Sequence, residues 1–378
     1  MRICFLASAN SAHSYRWIKY FVKGGHEIHW ISNTPLNFKN LVNVHYYELQ
    51  KYSSKVLSFL CAVKKIKKLI KEMEPNILHS HYAGTNGLMG ALTKFHPHIV
   101  TAWGSDILIA GRSMIKRPMI RYVLNQADII TCDANHMKEA MLKLGVNDKK
   151  IKLIYFGVEI DKYQIRKGGI HLREKWGLAN QPIIISLRTL EPIYDVETLI
   201  LSIPYILKDV PEAKFIIAGR GPEEGKLKHL AKSLGVMESI NFVGYIPSEE
   251  IPQYLESSDI YVSTSLSDAG IAASTAEAMA SGLPVIITNS GENRLWVQDG
   301  ESGFIIPIKN PILLADKILY LLKVDDARIK FGQAGRKIIE EKNNYYKEME
   351  KMENIYKEVM GPHEQARGCR KNHTRLSP

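Results

Sequence analysis

At 378 residues, with 45% hydrophobic and 24% charged residues, the chain is too apolar for a disordered polymer and too long for one ordinary core, so two domains are expected. No apolar run approaches the roughly 18 residues of a membrane-spanning helix, and "MRICFLASANSAHS" turns polar too early for a secretory signal, so a cytoplasmic chain is expected. The net charge of +11 sits in one half: residues 1–165 hold 23 Lys and Arg against 11 Asp and Glu (+12), and residues 166–378 hold 27 against 28 (−1). A basic half of this kind suits nucleic acid, anionic lipid or acidic ligands, and since no nucleic-acid reader motif is present, nucleic acid is not an expected partner. Cys4, Cys61, Cys132 and Cys369 lie too far apart for a disulfide framework or a zinc site and read as free thiols.

Taken in chain order, short β-branched runs alternate with helical patterns, the arrangement of parallel sheets with crossover helices. "RICFLA" reads as a strand, "SYRWIKYFVKGG" as a helix closed by glycines and "HEIHWIS" as the next strand. "KVLSFLCAVKKIKKLIKEM" places Val56, Phe59, Leu60, Val63, Ile66, Ile70 and Met73 on one helical face, with Lys64, Lys65, Lys67, Lys68 and Lys71 on the other. That helix is either a core-facing element with a solvated basic side or a dock for anionic lipid, where each lysine contributes about 1 kcal/mol. "NILHSH", "HIVTAW", "DIITCD" and "IKLIYFG" are further strands, and the polar stretch from Gly157 to Gln181 reads as a linker.

A second alternating series runs from "PIIISLR" through "KFIIAG", "INFVG" and "IYVSTS" to "PVIITN", with helices between. The expectation is an α/β protein of two doubly wound, Rossmann-like domains facing a central cleft, at residues 1–165 and 166–343. Ligands of such sheets bind beyond the carboxyl ends of the strands. Residues 344–360 read as a terminal helix and 361–378 as a disordered tail.

The stretch "DAGIAASTAEAMASGLPVI" carries the clearest chemistry. Gly270 permits a tight turn and a helix follows from Ala272, so its first N–H groups make an anion site. Glu277, about a turn further on, can accept hydrogen bonds from vicinal hydroxyls beside that anion, and phosphate plus diol is a nucleotide. The alternative is that Glu277 only complements the helix dipole, worth about 0.3 to 1 kcal/mol. "GRGP" places Gly219, Gly221 and Pro222 at a strand-to-helix turn, and Arg188 follows a strand end where a guanidinium could hold a diphosphate.

In this order Arg188, "GRGP", "NFVGYI", "EAMASGLPVI" and "DGESGFIIP" resemble the C-terminal half of the retaining, group-1 type glycosyltransferases of the GT-B fold, over nearly all of residues 181–322. "HSHYAGTNGLMGAL" and "TAWGSDIL" match the family's first half more loosely, and residues 344–360 look like the helix that crosses back to the N-terminal domain in that fold. The resemblance implies a nucleotide-sugar donor and transfer with retention of anomeric configuration, to a glycan or lipid-linked acceptor in cell-surface polysaccharide or glycolipid assembly. Glu277 would bind the donor ribose, Arg188 the diphosphate, Gly270, Ile271, Ala272 and Ala273 the phosphates through their backbone, and Tyr245 and Ile246 the base edge, with Gly221 and Asp268 also at the donor. No metal or cofactor is implied, since arginine and a helix end supply the positive field. Three positions depart from the family pattern: Ala269 stands where the first of two glutamates is usual, Ile193 where a lysine is usual, and Trp103 where many relatives have histidine.

In the basic half, Asn10, Ser11 and His13 could hydrogen-bond an acceptor, beside Trp103, or Ser11 or Ser14 could cap the first helix instead. Asp106 either orients an acceptor hydroxyl as a catalytic group or caps its own turn. His79 and His81 share one strand face without a third ligand nearby, so packing is expected rather than metal binding. Two other readings remain at this level: a sugar-nucleotide epimerase of the same fold and a catalytically idle binding protein. Peripheral contact with anionic membrane on its inner face is the remaining expected interaction.

Overall fold

The computed structural model describes residues 1–38, 41–165, 170–178, 180–268 and 270–373. The chain divides into two compact units, Met1–Tyr155 with the stretch from Lys347 onward, and Phe156–Tyr346. The first unit contains β1 (Arg2–Leu6), α1 (Ala12–Lys23), β2 (Glu27–Ser32), β3 (Val44–Glu48), α2 (Lys55–Met73), β4 (Ile77–His81), α3 (Thr85–Thr93), β5 (His98–Thr101), α4 (Ser105–Leu108), α5 (Arg117–Gln126), β6 (Ile129–Cys132), α6 (Asn135–Lys143) and β7 (Ile151–Leu153). The second contains α7 (Ile170–Lys175), β8 (Ile183–Leu187), α8 (Val196–Asp209), β9 (Lys214–Ala218), α9 (Glu224–Ser233), β10 (Ile240–Gly244), α10 (Ile251–Glu256), β11 (Ile260–Ser263), α11 (Ala273–Ala280), β12 (Val285–Thr288), α12 (Asn293–Trp296), β13 (Gly303–Ile306), α13 (Pro311–Lys323) and α14 (Asp325–Lys342). A terminal helix, α15 (Tyr345–His373), follows.

Both sheets are parallel throughout their paired strands, with order β3-β2-β1-β4-β5-β6-β7 in the first and β10-β9-β8-β11-β12-β13 in the second. Helices cover both faces of such sheets, which is why β4, β11 and β12 are uninterrupted buried runs rather than alternating ones. In each sheet the winding reverses once: between β1 and β4, and between β8 and β11. Those two gaps are where the loops after adjacent strands diverge and leave room for a ligand. The second core gathers Phe215, Ile217, Leu199, Ile203, Ile318 and Leu314 around the sheet.

The dividing points differ from the sequence pattern, which puts them at 165/166 and 343/344. Val158 N donates to Asn343 O (2.7 Å), Tyr345 N to Val158 O (2.9 Å) and Gly157 N to Asn343 Oδ1 (2.9 Å), so this strap belongs to the second unit. The expected linker also contains α7, whose Arg173 donates to Ser257 O, Gln181 O and Asp259 Oδ2, so it is an integral part of the second unit. On α2 the sequence puts Val56 and Leu60 on the core face, yet they are 69% and 60% exposed, because the helix packs only from Ala62 and Ile66 onward. The stretch after Met360, expected to be disordered, carries helical backbone to His373 after a break at Gly361 (φ 65, ψ 169). Pro362 accounts for the break, since proline steers the preceding residue away from helical angles; residues 374–378 lie outside the described residues.

The terminal helix packs in the first unit through Tyr356, which is fully buried with its hydroxyl 2.5 Å from His79 Nδ1 and its ring 4.9 Å from that of Phe21. Glu348 Oε2 accepts from Tyr155 N at 2.9 Å further along the same helix. Replacing Tyr356 with Phe leaves a buried histidine nitrogen unpaired and is expected to cost about 1 to 3 kcal/mol. Urea unfolding followed by tryptophan fluorescence reads the loss directly, and an unchanged midpoint would show that the pair carries no stability.

Candidate functional site

In the second unit Arg188, Asp268 and the start of the α11 segment follow β8 and β11, on either side of the winding reversal, while Gly221, Tyr245 and Ile246 follow β9 and β10. Arg188 leaves the end of β8 and Asp268 lies in the loop after β11; Arg188 Nη2 donates to Asp268 Oδ1 at 2.6 Å. The side chains are only 10% and 6% exposed. The guanidinium also lies over the ring of Tyr194, 4.1 Å from its centroid, which fixes its plane. Its Nε has no hydrogen-bond partner among the described residues. A cation held this way, with one buried donor unmatched, is suited to an incoming anion.

The glycines of "GRGP" explain how the neighbouring loop comes so close. A Cβ on Gly219 would lie 2.3 Å from Arg188 O, and one on Gly221 2.2 Å from Leu190 O. Leu190 N donates to Arg220 O and Glu223 N to Leu190 O, so the β8 and β9 loops are zipped backbone to backbone. Gly221 therefore serves close packing that places Arg188. Gly219 N donates to Gly244 O, which ties in the loop after β10. There Tyr245 is exposed, whereas the Ile246 side chain is buried, leaving its backbone as the part that can meet a base.

Helix α11 starts one residue later than the sequence suggests: Ala272 is its extended N-cap and no side chain caps the first turn. Ala276 N makes the first helical bond, to Ala272 O, so the amides of Ala273, Ser274 and Thr275 precede the ladder. Tyr261, fully buried on β11, holds this turn through its hydroxyl, 2.8 Å from Ser274 Oγ and 3.3 Å from Thr275 Oγ1. Glu277 is half-buried one turn along. Gly270 and Ile271 lead into the helix, and Ala269 lies outside the described residues. Ile193 is partly exposed and its carbonyl accepts from Leu266 N, joining the β8 and β11 loops.

The matching gap of the first unit, between β1 and β4, opens into a cavity of about 430 Å³. Ser11, His13 and Trp103 line it as the sequence suggests, and His81, Tyr82 and Asn86 join them. Ser11 also caps α1, accepting from Ser14 N, which is its capping alternative. Asn10 is exposed, its Oδ1 accepting from Ser8 Oγ, and is not among the lining residues. His13 stacks on Trp103 with centroids 5.2 Å apart. Asp106 is fully buried: Oδ2 accepts from Ala83 N (2.7 Å) and Oδ1 from Trp103 N (3.1 Å), with further bonds from the backbone of Gly104 and its own. The carboxylate clamps the β4 and β5 loops together, and the capping alternative describes it; a carboxylate so occupied has no oxygen left for an acceptor hydroxyl.

Residues 170–338 match the family model of glycosyl transferases group 1, and residues 2–134 match that of glycosyl transferase 4-like domains. Glycosyl transferase models thus cover most of the chain, which is a glycosyltransferase whose second unit is of the group 1 type. A glycosyltransferase from Rickettsia africae has the same fold with a TM-score of 0.82 at 20% identity, covering 95% of this chain and 98% of its own. HepE from Anabaena, solved in complex with UDP, superposes with a TM-score of 0.80 at 19% identity over 95% of this chain and 100% of its own. The N-acetyl-alpha-D-glucosaminyl L-malate synthase of Bacillus anthracis is 24% identical over 355 residues, 90% of this chain and 92% of its own length. The architecture is GT-B, and this group 1 transferase moves a sugar from a nucleotide-sugar donor. Among the described residues no helix is long and apolar enough to cross a membrane, and no group of three or more His, Cys, Asp or Glu is placed to hold a metal.

Sequence reasoning missed Tyr194 beneath Arg188, and it assigned His81 to packing alone. The signal for His81 was its place at the end of β4, beside the winding reversal. Burial disfavours the charged form of the buried histidines on β4 and β5: the His81 ring is pushed down to about 3 by burial and then by His13, and His98 to about 4, chiefly by burial. His79 is held well below its ordinary value for the same reason. Below pH 6.5 the unfolded chain binds protons that these rings refuse, so stability falls as the pH drops from about 6.5 toward 4, by roughly 1 kcal/mol per pH unit for each ring. Melting temperatures measured across that range should decline steadily, and a flat profile between pH 6.5 and 5 would contradict the burial argument.

Proposed function

We propose that the transferase binds its nucleotide-sugar at the β8/β11 gap and passes the sugar, with retention, to a glycan or lipid-linked acceptor in cell-surface polysaccharide or glycolipid assembly. The observation that carries this reading is that Arg188, fixed by Tyr194 and Asp268, and the uncapped first turn of α11 both follow the carboxyl ends of the adjacent strands β8 and β11. Arg188 takes the diphosphate, the backbone of Gly270 to Ala273 the phosphate oxygens, Glu277 the ribose hydroxyls, and the Tyr245 and Ile246 segment the base. Cleaving the bond from sugar to diphosphate builds negative charge on the leaving group, and fixed N–H groups and a guanidinium stabilise that charge more than they do the ground state. Asp268 contacts the donor only through Arg188, holding the guanidinium in place until the anion arrives. In this reading the nucleotide sugar is a substrate, and neither a metal nor a resident cofactor takes part. HepE was solved with UDP and with UDP-glucose, which supports the choice of donor class.

A thermal-shift panel of UDP, GDP, ADP and CMP tests the donor site, because a ligand at 100 times its dissociation constant adds about 2.7 kcal/mol to the folded state. One of the four should raise the melting temperature clearly, and Glu277→Ala should abolish most of that rise while leaving the unliganded melting temperature near the parent value. If the variant keeps the full shift, the ribose assignment is wrong.

The same reading places the enzyme peripherally on the inner face of an anionic membrane. Besides the exposed lysines of α2, two apolar tips follow the carboxyl ends of β3 and β5. One carries Val56, Leu57 and Leu60; the other carries Ile109 with Met114 and Ile115, both 91% exposed, among Arg112, Lys116 and Arg117. Apolar side chains ringed by cations suit the lipid interface. The protein should float with vesicles containing phosphatidylglycerol and not with phosphatidylcholine alone, and Met114→Asp with Ile115→Asp should release it. Equal recovery with both vesicle types would remove the membrane from the proposal.

A further inference from the structure

The two groups that hold Arg188 are themselves held very differently. Tyr194 closes the short turn Pro192–Tyr194, and the backbone around its ring is tied down on several sides. Its carbonyl and that of Asp195 accept from Thr264 Oγ1 at 3.1 and 2.8 Å, and Tyr194 N donates to Glu191 O at 2.9 Å. Asp195, at φ 46 in the left-handed region, turns the chain into α8, and its Oδ2 accepts from Thr198 Oγ1 at 2.7 Å. The ring beneath the guanidinium is therefore a fixed platform, and its hold on the cation needs no opposite charge.

Asp268 has no comparable support. Among the described residues its carboxylate has one hydrogen-bond partner, Arg188 Nη2 at 2.6 Å, and no backbone–backbone hydrogen bond involves Ser267, Asp268, Gly270 or Ile271. Asp106 shows the contrast, since its carboxylate is fastened by the amides of Ala83 and Trp103 and cannot leave without undoing them. A carboxylate held by a cation alone gives up a single ion pair when another anion takes its place, and the new anion restores that pair. A diphosphate brings several oxygens to the guanidinium fork, including its unmatched Nε, whereas Asp268 engages one nitrogen. Once displaced, Asp268 can turn to water with its unanchored loop, which avoids the costly state of a buried carboxylate without a partner.

We propose that Asp268 is a built-in competitor of the diphosphate: it pairs with Arg188 until the nucleotide's phosphates arrive, yields to them, and takes the guanidinium back as the nucleoside diphosphate product leaves. Tyr194 is the positioning residue that keeps the guanidinium in place through both exchanges. The proposal rests on the donor reading above and adds to it how the site trades one anion for another. Ile193 brings no second cation to this turn, so the carboxylate and the diphosphate compete for the charge of Arg188. The pair lowers affinity for the product as well as for the donor, and this favours turnover over retention.

Calorimetric titration of the full chain with inorganic pyrophosphate, and with UDP, GDP and ADP and their nucleosides, tests the exchange. Asp268→Asn should bind pyrophosphate and the preferred nucleoside diphosphate on the order of tenfold more tightly, and Tyr194→Leu on the order of tenfold more weakly. Tyr194→Phe, which keeps the ring face, should retain the parent affinity, and the nucleoside without phosphate should bind alike to all three variants. Unliganded melting temperatures certify the folds, and Asp268→Ala repeats the comparison should asparagine disturb the loop. Weaker or unchanged diphosphate binding by both Asp268 variants would show that the carboxylate only supports the arginine and would overturn the proposal. So would a loss in Tyr194→Phe equal to that in Tyr194→Leu, an unchanged Tyr194→Leu, nucleoside binding that shifts in step with the diphosphate, or pyrophosphate bound by neither parent nor variant. If pyrophosphate follows the expected order while no nucleotide binds, the anion exchange stands and the nucleotide reading falls.

Discussion

The buried pair of Arg188 and Asp268 is the interaction that fixes the second unit's candidate site. Two charges taken out of water this far are costly unless geometry and extra hydrogen bonds compensate, and replacing such a pair with packed apolar residues is often no loss to stability. Its persistence at the winding reversal is therefore better explained by placement than by stability. Tyr194 holds the guanidinium plane, Asp268 holds one end of the fork, and Nε remains unmatched. The side-chain-free backbone of Gly219 and Gly221 lets the β9 loop close against Arg188 and Leu190, so the cation sits on a rigid floor.

Both units apply one architectural rule and diverge in electrostatics. In each, a parallel sheet leaves a gap where its winding reverses, and loops from the two adjacent strands line it. In the second unit the gap is furnished with a cation and a helix start, which suits a diphosphate. In the first the gap is lined by neutral groups, although residues 1–165 carry a net charge of +12 and the rest of the chain −1. Lysines and arginines are not among the cavity's described lining residues, and exposed ones cluster on α2 and around Met114 and Ile115, while Arg16 adds to burial in lowering the pKa of the lining residue His13.

The first half was harder to read from sequence than the second. Arg188, "GRGP" and "EAMASGLPVI" keep the spacing of one contiguous donor unit, and each residue's place follows from a strand end, a tight turn or a helix start. The cavity of the first unit is assembled from the ends of β1, β4 and β5, which are remote in sequence. His81 looked like a packing residue because its neighbours in the chain say nothing of Trp103 or Ser14. Asp106 looked available because the amides of Ala83 and Gly104 that it clamps come together only after β4 and β5 pair. Val56 and Leu60 fit a core-facing helical stripe, but periodicity reports direction around the helix and not where along it packing begins.

By itself the sequence determined that this is a two-part α/β protein and singled out Arg188 and the α11 start as its candidate site, since alternation of strand and helix patterns, glycine at tight turns and a helix start are local properties of the chain. Tertiary structure alone decided where the units divide, because backbone pairing of Val158 with Asn343 and Tyr345 joins segments far apart in sequence. It also decided which polar side chains face a cavity and which hold backbone, as between His81 and Asp106. Burial and hydrogen-bond partnership are properties of assembled surfaces, and no spacing rule along one strand encodes them.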